Sequence, residues 1–313
     1  MTNNILDVCN LNIEFPTRYR TIQPTQDVSF SIKENVIYVL IGESGSGKSV
    51  IGQAILHILP KTANVSGNVY YKGQEILNIS DQAYSKFRGN QIALIPQIST
   101  ESLNPTMKCY NQISEVLDIR NIPKEDQKPI IFDILKSYYF KDPELVSNSY
   151  PYQLSGGMQQ RITTSAAIST EPQLLIADEP TKGLDYVSRQ HVIDIFKNIK
   201  SNGGMSILMI THDIELAEGI GDTVGVLYSG ELVEQGSASD VFNDPLHPYT
   251  KGLISALPKN GMIPIPGNPP DLLDLWKNGC YFYDRCPHKC EITCHPSLQS
   301  VNNTNRSVRC SRY

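Results

Sequence analysis

The sequence predicts an α/β fold with a parallel core sheet, an N-terminal antiparallel β subdomain, a helical insertion and a small cysteine-rich C-terminal extension. Three observations predict it. Apolar runs at residues 36–41, 174–177, 206–210 and 224–228 alternate with helical stretches, as strands buried on both faces of a parallel sheet do. A glycine-rich turn, Gly42-Glu43-Ser44-Gly45-Ser46-Gly47-Lys48-Ser49, joins the first of these runs to an apolar helix. Five of the seven cysteines fall in the last 34 positions.

The elements follow in order. Leu11, Ile13 and Phe15 alternate with polar residues, as do Val28, Phe30 and Ile32, which predicts half-buried antiparallel strands. Residues 49–59 read as a helix ended by Pro60. Residues 65–76 read as a hairpin turning at Lys72-Gly73. Residues 100–150 are polar and helical, punctuated by Pro105, Pro123 and Pro143. A helix follows Gly157, and Ser229-Gly230 marks a further turn. From Asp244 the chain is proline-dense and predicts a linker or extended wrap. The predicted division is 1–255 for the main domain, with a helical subdomain at about 97–160, and 256–313 for the extension. Of the 313 residues, 40% are hydrophobic and 19% charged, which suits a globular protein. The formal charge of −5 speaks against a nucleic-acid partner. No apolar run reaches the roughly 18–20 residues that cross a bilayer. The first residues lack the basic and apolar regions of a signal peptide, so the expected compartment is the cytoplasm.

Three motifs carry chemistry. In the loop of residues 42–49, glycines let backbone N–H groups converge on phosphate oxygens at a helix N-terminus. Lys48 would reach the terminal phosphates and Ser49 would bind Mg²⁺. Asp178 and Glu179 end an apolar strand, where parallel sheets meet their ligands. Asp178 would hold Mg²⁺ and Glu179 would act as general base on the attacking water. Leu154-Ser155-Gly156-Gly157 opens a helix that Ser155 can cap. This second anion site lies about 105 residues after the first. Two chains arranged head-to-tail could each present it to the other's ATP.

These residues resemble the nucleotide-binding subunits of ATP-binding cassette (ABC) transporters over about residues 5–255. The resemblance implies a P-loop ATPase using ATP and Mg²⁺. It implies that Gln97 senses Mg²⁺ and couples to the membrane subunit, that Asp185 communicates across the dimer, and that His212 acts on the γ-phosphate. It also implies an aromatic platform for adenine near the N-terminus, by position Phe15, with Tyr19 as rival. Two departures stand out. Asn35-Val36 replaces the usual Gly-Glu, and Thr181-Lys182-Gly183 replaces Thr-Thr-Ala. A narrower resemblance, to ATPases of dipeptide, oligopeptide and nickel importers, rests on Tyr150-Pro151-Tyr152-Gln153, on residues 236–245 and on His247-Pro248-Tyr249-Thr250-Lys251-Gly252-Leu253.

In a reducing compartment the tail cysteines point to a metal. Four thiolates suit a [4Fe–4S] cluster or Zn²⁺; no metal, or a disulfide, is the alternative. Related tails imply an iron–sulfur site at Cys280, Cys286, Cys294 and Cys310, with Cys290 as alternative ligand. The resemblance further implies a heterodimeric partner ATPase, two transmembrane permeases, an extracytoplasmic solute-binding protein and a place at the cytoplasmic face of the membrane. Di- and oligopeptides are the expected cargo, and nickel or a metal–chelator complex the nearest alternative. A soluble ABC ATPase working on ribosomes or nucleic acid fits less well, because the chain has one cassette, no heptad run and an acidic balance.

Overall fold

The computed structural model describes residues 4–97, 99–270, 279–289, 296–301 and 305–313. In chain order the elements are β1 (Asn4–Pro16), β2 (Thr21–Lys33), β3 (Ile37–Ile41), α1 (Lys48–Ile55), β4 (Asn64–Tyr71), β5 (Gln74–Glu75), α2 (Asp81–Tyr84), β6 (Ile92–Ile95), α3 (Ser99–Ser102) and α4 (Cys109–Asp118). Next come α5 (Lys124–Ser137), α6 (Pro143–Asn148), α7 (Gly156–Ile168), β7 (Leu174–Asp178), α8 (Tyr186–Asn202), β8 (Ser206–Thr211), α9 (Ile214–Ile220), β9 (Thr223–Tyr228), β10 (Glu231–Ser237), α10 (Ala238–Asn243), α11 (Pro248–Ser255), β11 (Gln299–Ser300) and β12 (Ser307–Val308). The chain divides into two compact units, Met1–Ile79 with Ile210–Tyr313, and Ser80–Met209.

In the first unit, β1 is an inner strand of an antiparallel sheet of order β2-β1-β4-β5. Val8 faces Phe30 on one side and Val69 on the other. The alternating residues Leu11, Ile13, Val28, Phe30 and Ile32 are buried, as the period of two requires. Lys72 and Gly73 make the expected turn with positive φ, and Asn35 adopts φ 59°, a left-handed value that asparagine tolerates. A second sheet holds β11-β12-β10-β9-β3 in that order. Within it β3 and β9 run parallel, Val39 opposite Val224, and every residue of β3 is buried. Strand β10 returns from β9 through Ser229-Gly230. The C-terminal strand β12 then pairs antiparallel with β10, Val308 opposite Glu234.

The second unit pairs β6 and β7 in parallel, Ile92 opposite Leu174. Helices α3 to α6 fill the predicted insertion, with Pro123 capping α5 and Pro143 opening α6. Arg161 of α7 is buried, donates from Nη1 to the carbonyls of Tyr138 and Tyr139 at 3.1 Å, and lies 4.4 Å from the Phe140 ring centroid.

Two local expectations differ from the structure. Helix α1 ends at Ile55, short of Pro60, because His57 leaves the helix with φ 54°. The proline-dense stretch from Asp244 is not wholly extended. His247 caps α11, its side chain accepting from Tyr249 N–H, and Pro248 takes the first helical position. Proline there loses no hydrogen bond, since that N–H has no partner within the helix.

Candidate nucleotide site

The predicted groups divide between the units. The first holds residues 42–49, Phe15, Tyr19, His212 and the described cysteines of the tail; the second holds Gln97, residues 154–157, Asp178, Glu179 and Asp185.

In the first unit the glycine loop predicted to bind phosphate runs from the end of β3 to the start of α1. Glycine is obligatory at two of its positions. A Cβ on Gly42 would sit 2.1 Å from the Leu227 carbonyl oxygen. A Cβ on Gly47, which caps α1 with φ 99°, would sit 2.0 Å from the Pro24 carbonyl oxygen. Backbone bonds fix the loop further: Ser46 N–H donates to Glu43 O at 3.2 Å, and Gly230 N–H donates to Ser46 O at 3.0 Å. Lys48 is 5% exposed, and its Nζ donates to Gly42 O, Glu43 O and Ser46 Oγ at 2.8, 2.9 and 3.2 Å. The ammonium thus lies inside the loop whose N–H groups would cradle phosphate. Ser44 and Gly45 are exposed, and Ser49 is half-buried. His212 is exposed immediately after β8. Phe15 is half-buried opposite Ile22, and Tyr19, in the β1–β2 turn, is 85% exposed.

In the second unit β7 delivers Asp178 and Glu179, each 8% exposed. Glu179 has φ 49°, a conformation that costs a non-glycine residue on the order of 1–3 kcal/mol and recurs at functional sites. Gln97 follows β6 and is half-buried. Ser155 caps α7, its Oγ accepting from Met158 N–H at 3.3 Å. Leu154 is half-buried, and Ser155 and Gly156 are exposed at this N-terminus. A Cβ on Gly157 would strike Ser188 Oγ at 2.3 Å. Ser188 is held by Asp185, whose carboxylate caps α8 by accepting from Ser188 N–H at 3.0 Å and Oγ–H at 2.7 Å. Those two bonds hold the Asp185 carboxyl below its ordinary range. Gly157 therefore sits directly against the Asp185 cap.

Sequence reasoning missed what holds the phosphate-binding loop from outside. Tyr249 Oη accepts from Glu43 N–H at 2.9 Å. Arg285, buried, grips the Glu43 carboxylate with both arms, at 2.9 and 3.0 Å. Arg285 Nε also donates to Pro266 O at 3.0 Å. Phe282, 2% exposed, meets Tyr228 edge-on at 5.2 Å and Tyr249 at 5.6 Å. The His247-Pro248-Tyr249 motif was a signal for Tyr249. Nothing local marked Arg285.

Cys280, Cys286 and Cys310 line one small cavity of about 20 Å³ with Phe282 and His288. His288 N–H donates to Cys286 Sγ at 3.4 Å. Among the described residues, no group of three or more His, Cys, Asp or Glu side chains is arranged to hold a metal ion. Cys290 and Cys294 lie outside the described residues. Among the described residues, no helix is long and apolar enough to cross a membrane.

A glycine loop opening a helix, an acidic strand end and a serine-capped glycine turn are the parts of an ABC-type ATPase. Comparison with known proteins agrees. Residues 25–182 match the ABC transporter family, and residues 233–294 match the oligopeptide/dipeptide transporter C-terminal region. The dipeptide transport ATP-binding protein of Caldanaerobacter subterraneus subsp. tengcongensis is 38% identical, over 92% of this chain and 90% of that protein. The oligopeptide transport ATP-binding protein of Escherichia coli K12 is 37% identical, over 92% and 87%. A dimeric ATP-binding cassette in a post-hydrolysis state with ADP and phosphate is 25% identical with a TM-score of 0.68, over 74% of this chain and 98% of that one. The chain belongs to the ABC transporter ATP-binding family, in the branch that carries the oligopeptide/dipeptide C-terminal region, and is an ATPase of that class.

Proposed function

We propose that this chain hydrolyses ATP to drive import of di- or oligopeptides. The observation that carries this is the match of 92% of the chain to dipeptide and oligopeptide transport ATP-binding proteins, together with the match of residues 233–294 to the oligopeptide/dipeptide transporter C-terminal region. The proposed assembly has a second, homologous ATPase, two permeases and an external binding protein, with this chain peripheral at the cytoplasmic face. Residues 1–255 would form the ATPase and 256–313 an extension built onto it.

The roles follow the motifs. Lys48 and the loop N–H groups bind the β- and γ-phosphates, Ser49, Gln97 and Asp178 hold Mg²⁺, and Phe15 stacks on adenine. When bound, Mg²⁺ neutralises charge developing on the phosphoryl oxygens. Ser155, Gly156 and Gly157 reach the partner's nucleotide, with Asp185 bracing that turn. Glu179 polarises the attacking water and His212 contacts the γ-phosphate; positioning and electrostatics supply the rate. The thiols suit an iron–sulfur cluster chemically. Cys280, Cys286 and Cys310 already share a cavity, and Cys294 or Cys290 would be the fourth ligand.

The test is reconstitution of the chain with its permeases and binding protein in vesicles. Peptides that stimulate ATP hydrolysis and accumulate inside support the proposal. Stimulation by nickel chelates and not by peptides would overturn the cargo. Iron and sulfide near four each per anaerobically purified chain support the cluster; stoichiometric zinc or no metal would overturn it.

A further inference from the structure

Arg285 is built into the molecule at both ends. Its guanidinium forks onto Glu43, donates from Nη1 to Tyr228 Oη at 3.4 Å, and lies 5.7 Å from the Tyr228 ring centroid. Its backbone belongs to a single turn, Tyr283–Arg285, that Cys280 and Cys286 bracket. Arg285 N–H donates to Phe282 O at 3.1 Å, and Tyr283 N–H donates to Cys280 O at 2.9 Å. Both bracketing thiols line the cavity shared with Cys310. So the turn that carries Arg285 is flanked on each side by a cysteine that lines one small cavity.

The other end of the contact is chemically unusual. Glu43 is an acid in a loop that binds polyanions, and its own carbonyl accepts from Lys48 Nζ at 2.9 Å. An unneutralised carboxylate there would repel the triphosphate through a partly buried path, where screening by water is weak. A bidentate guanidinium cancels that charge and fixes the side chain's direction.

We propose that Arg285 is a positioning residue for the phosphate-binding loop, neutralising and orienting Glu43, and that the state of the Cys280–Cys286–Cys310 cavity sets nucleotide affinity through it. This rests on the reading of residues 42–49 as the ATP site. The tail then speaks to ATP binding through the packing of this thiol-lined cavity. A chain that lacks the Cys286 thiol binds ATP weakly.

The test is equilibrium binding of mant-ATP with Mg²⁺ to the full chain, alongside thermal unfolding without nucleotide. Arg285→Gln should weaken binding about tenfold or more, the scale of one charge acting close to phosphate at an effective dielectric between those of protein and water. Glu43→Gln in the same chain should restore affinity to within about threefold of wild type, because the repelling charge is gone. A purely structural Arg285 would give no such rescue. Cys286→Ser should weaken binding comparably and add nothing to Arg285→Gln. Should Arg285→Gln fail to fold, Arg285→Lys keeps the charge, loses the fork and should show a partial loss. Wild-type affinity in Arg285→Gln, or additive losses with Glu43→Gln, would overturn the positioning role. Wild-type affinity in Cys286→Ser would overturn the link to the thiols. A wild-type chain that binds no better than Lys48→Ala would overturn the ATP-site reading itself.

Discussion

Replacing Glu234 by glutamine should loosen the C-terminal region within the first unit. Glu234 is fully buried and accepts from Leu246 N–H at 2.9 Å, His247 N–H at 2.8 Å and Arg306 Nη2 at 3.1 Å. One oxygen takes Leu246 and Arg306, the other takes His247. Glutamine offers one oxygen and one NH₂, so whichever way it turns, at least one donor faces another donor. An orphaned buried donor costs about 1–3 kcal/mol. Arg306 also loses its buried counter-charge and keeps only the exposed Asp244 carboxylate, at 3.2 Å, with the Asp244 carbonyl. Breaking a buried pair from one side costs about 3–5 kcal/mol in total, a large share of a typical folding free energy of about 5–15 kcal/mol. The assays are urea unfolding followed by far-ultraviolet circular dichroism, and the rate of tryptic cleavage at Arg306 and Arg309. Both arginines are buried now, and both should become cleavable. Adding Arg306→Met should recover part of the loss. An unfolding free energy within about 0.5 kcal/mol of wild type, with unchanged cleavage, would refute the reasoning.

The remaining predictions concern the site and pH. Glu179→Gln should retain bound ATP and lower hydrolysis by about 10²–10⁴-fold, as loss of a general base does; phosphate release at the wild-type rate would show that Glu179 is not the base. Phe15→Ala should weaken ATP binding by calorimetry by about 1–3 kcal/mol, the worth of one stacked base; the same loss on Tyr19→Ala, with Phe15→Ala silent, would move the platform to Tyr19. Burial pushes the His247 imidazole down to about 3, so it stays neutral when folded. Its folded pKa lies below its unfolded value near 6.5, so its contribution is complete above pH 6.5 and is lost as pH falls toward 3. Unfolding in urea at pH 5 should therefore be easier by about 2 kcal/mol than at pH 7. His247→Gln should flatten that slope, and an unchanged slope would place the titration elsewhere.

The parts legible in the sequence are those written in local pattern. Continuous apolar runs announced β3, β7 and β8, because strands buried on both faces need no polar face. The loop of residues 42–49 was legible because its glycines answer a steric demand met within a few residues. The cap at Ser155 was legible for the same reason. Arg285 was not, because it meets Glu43 from 242 positions away along the chain, and nothing in Tyr283-Asp284-Arg285-Cys286 distinguishes it from a solvated arginine between cysteines. Helix α11 was obscured because a histidine cap and a first-turn proline look like loop residues until the helix behind them is seen. Glu179 was assigned a chemical role from its place at a strand end, but its left-handed backbone has no counterpart in the residue itself.

The position of Lys48 bears on how this loop takes up phosphate. Its ammonium already has three oxygen partners inside the loop, from Gly42, Glu43 and Ser46. Entry of a phosphate is thus an exchange of partners and not the filling of a bare positive hole. A triphosphate with its base and metal brings many contacts at once and can complete the exchange. The contribution of Lys48 to nucleotide affinity is therefore a difference between two sets of hydrogen bonds, those to its own loop and those to the phosphates.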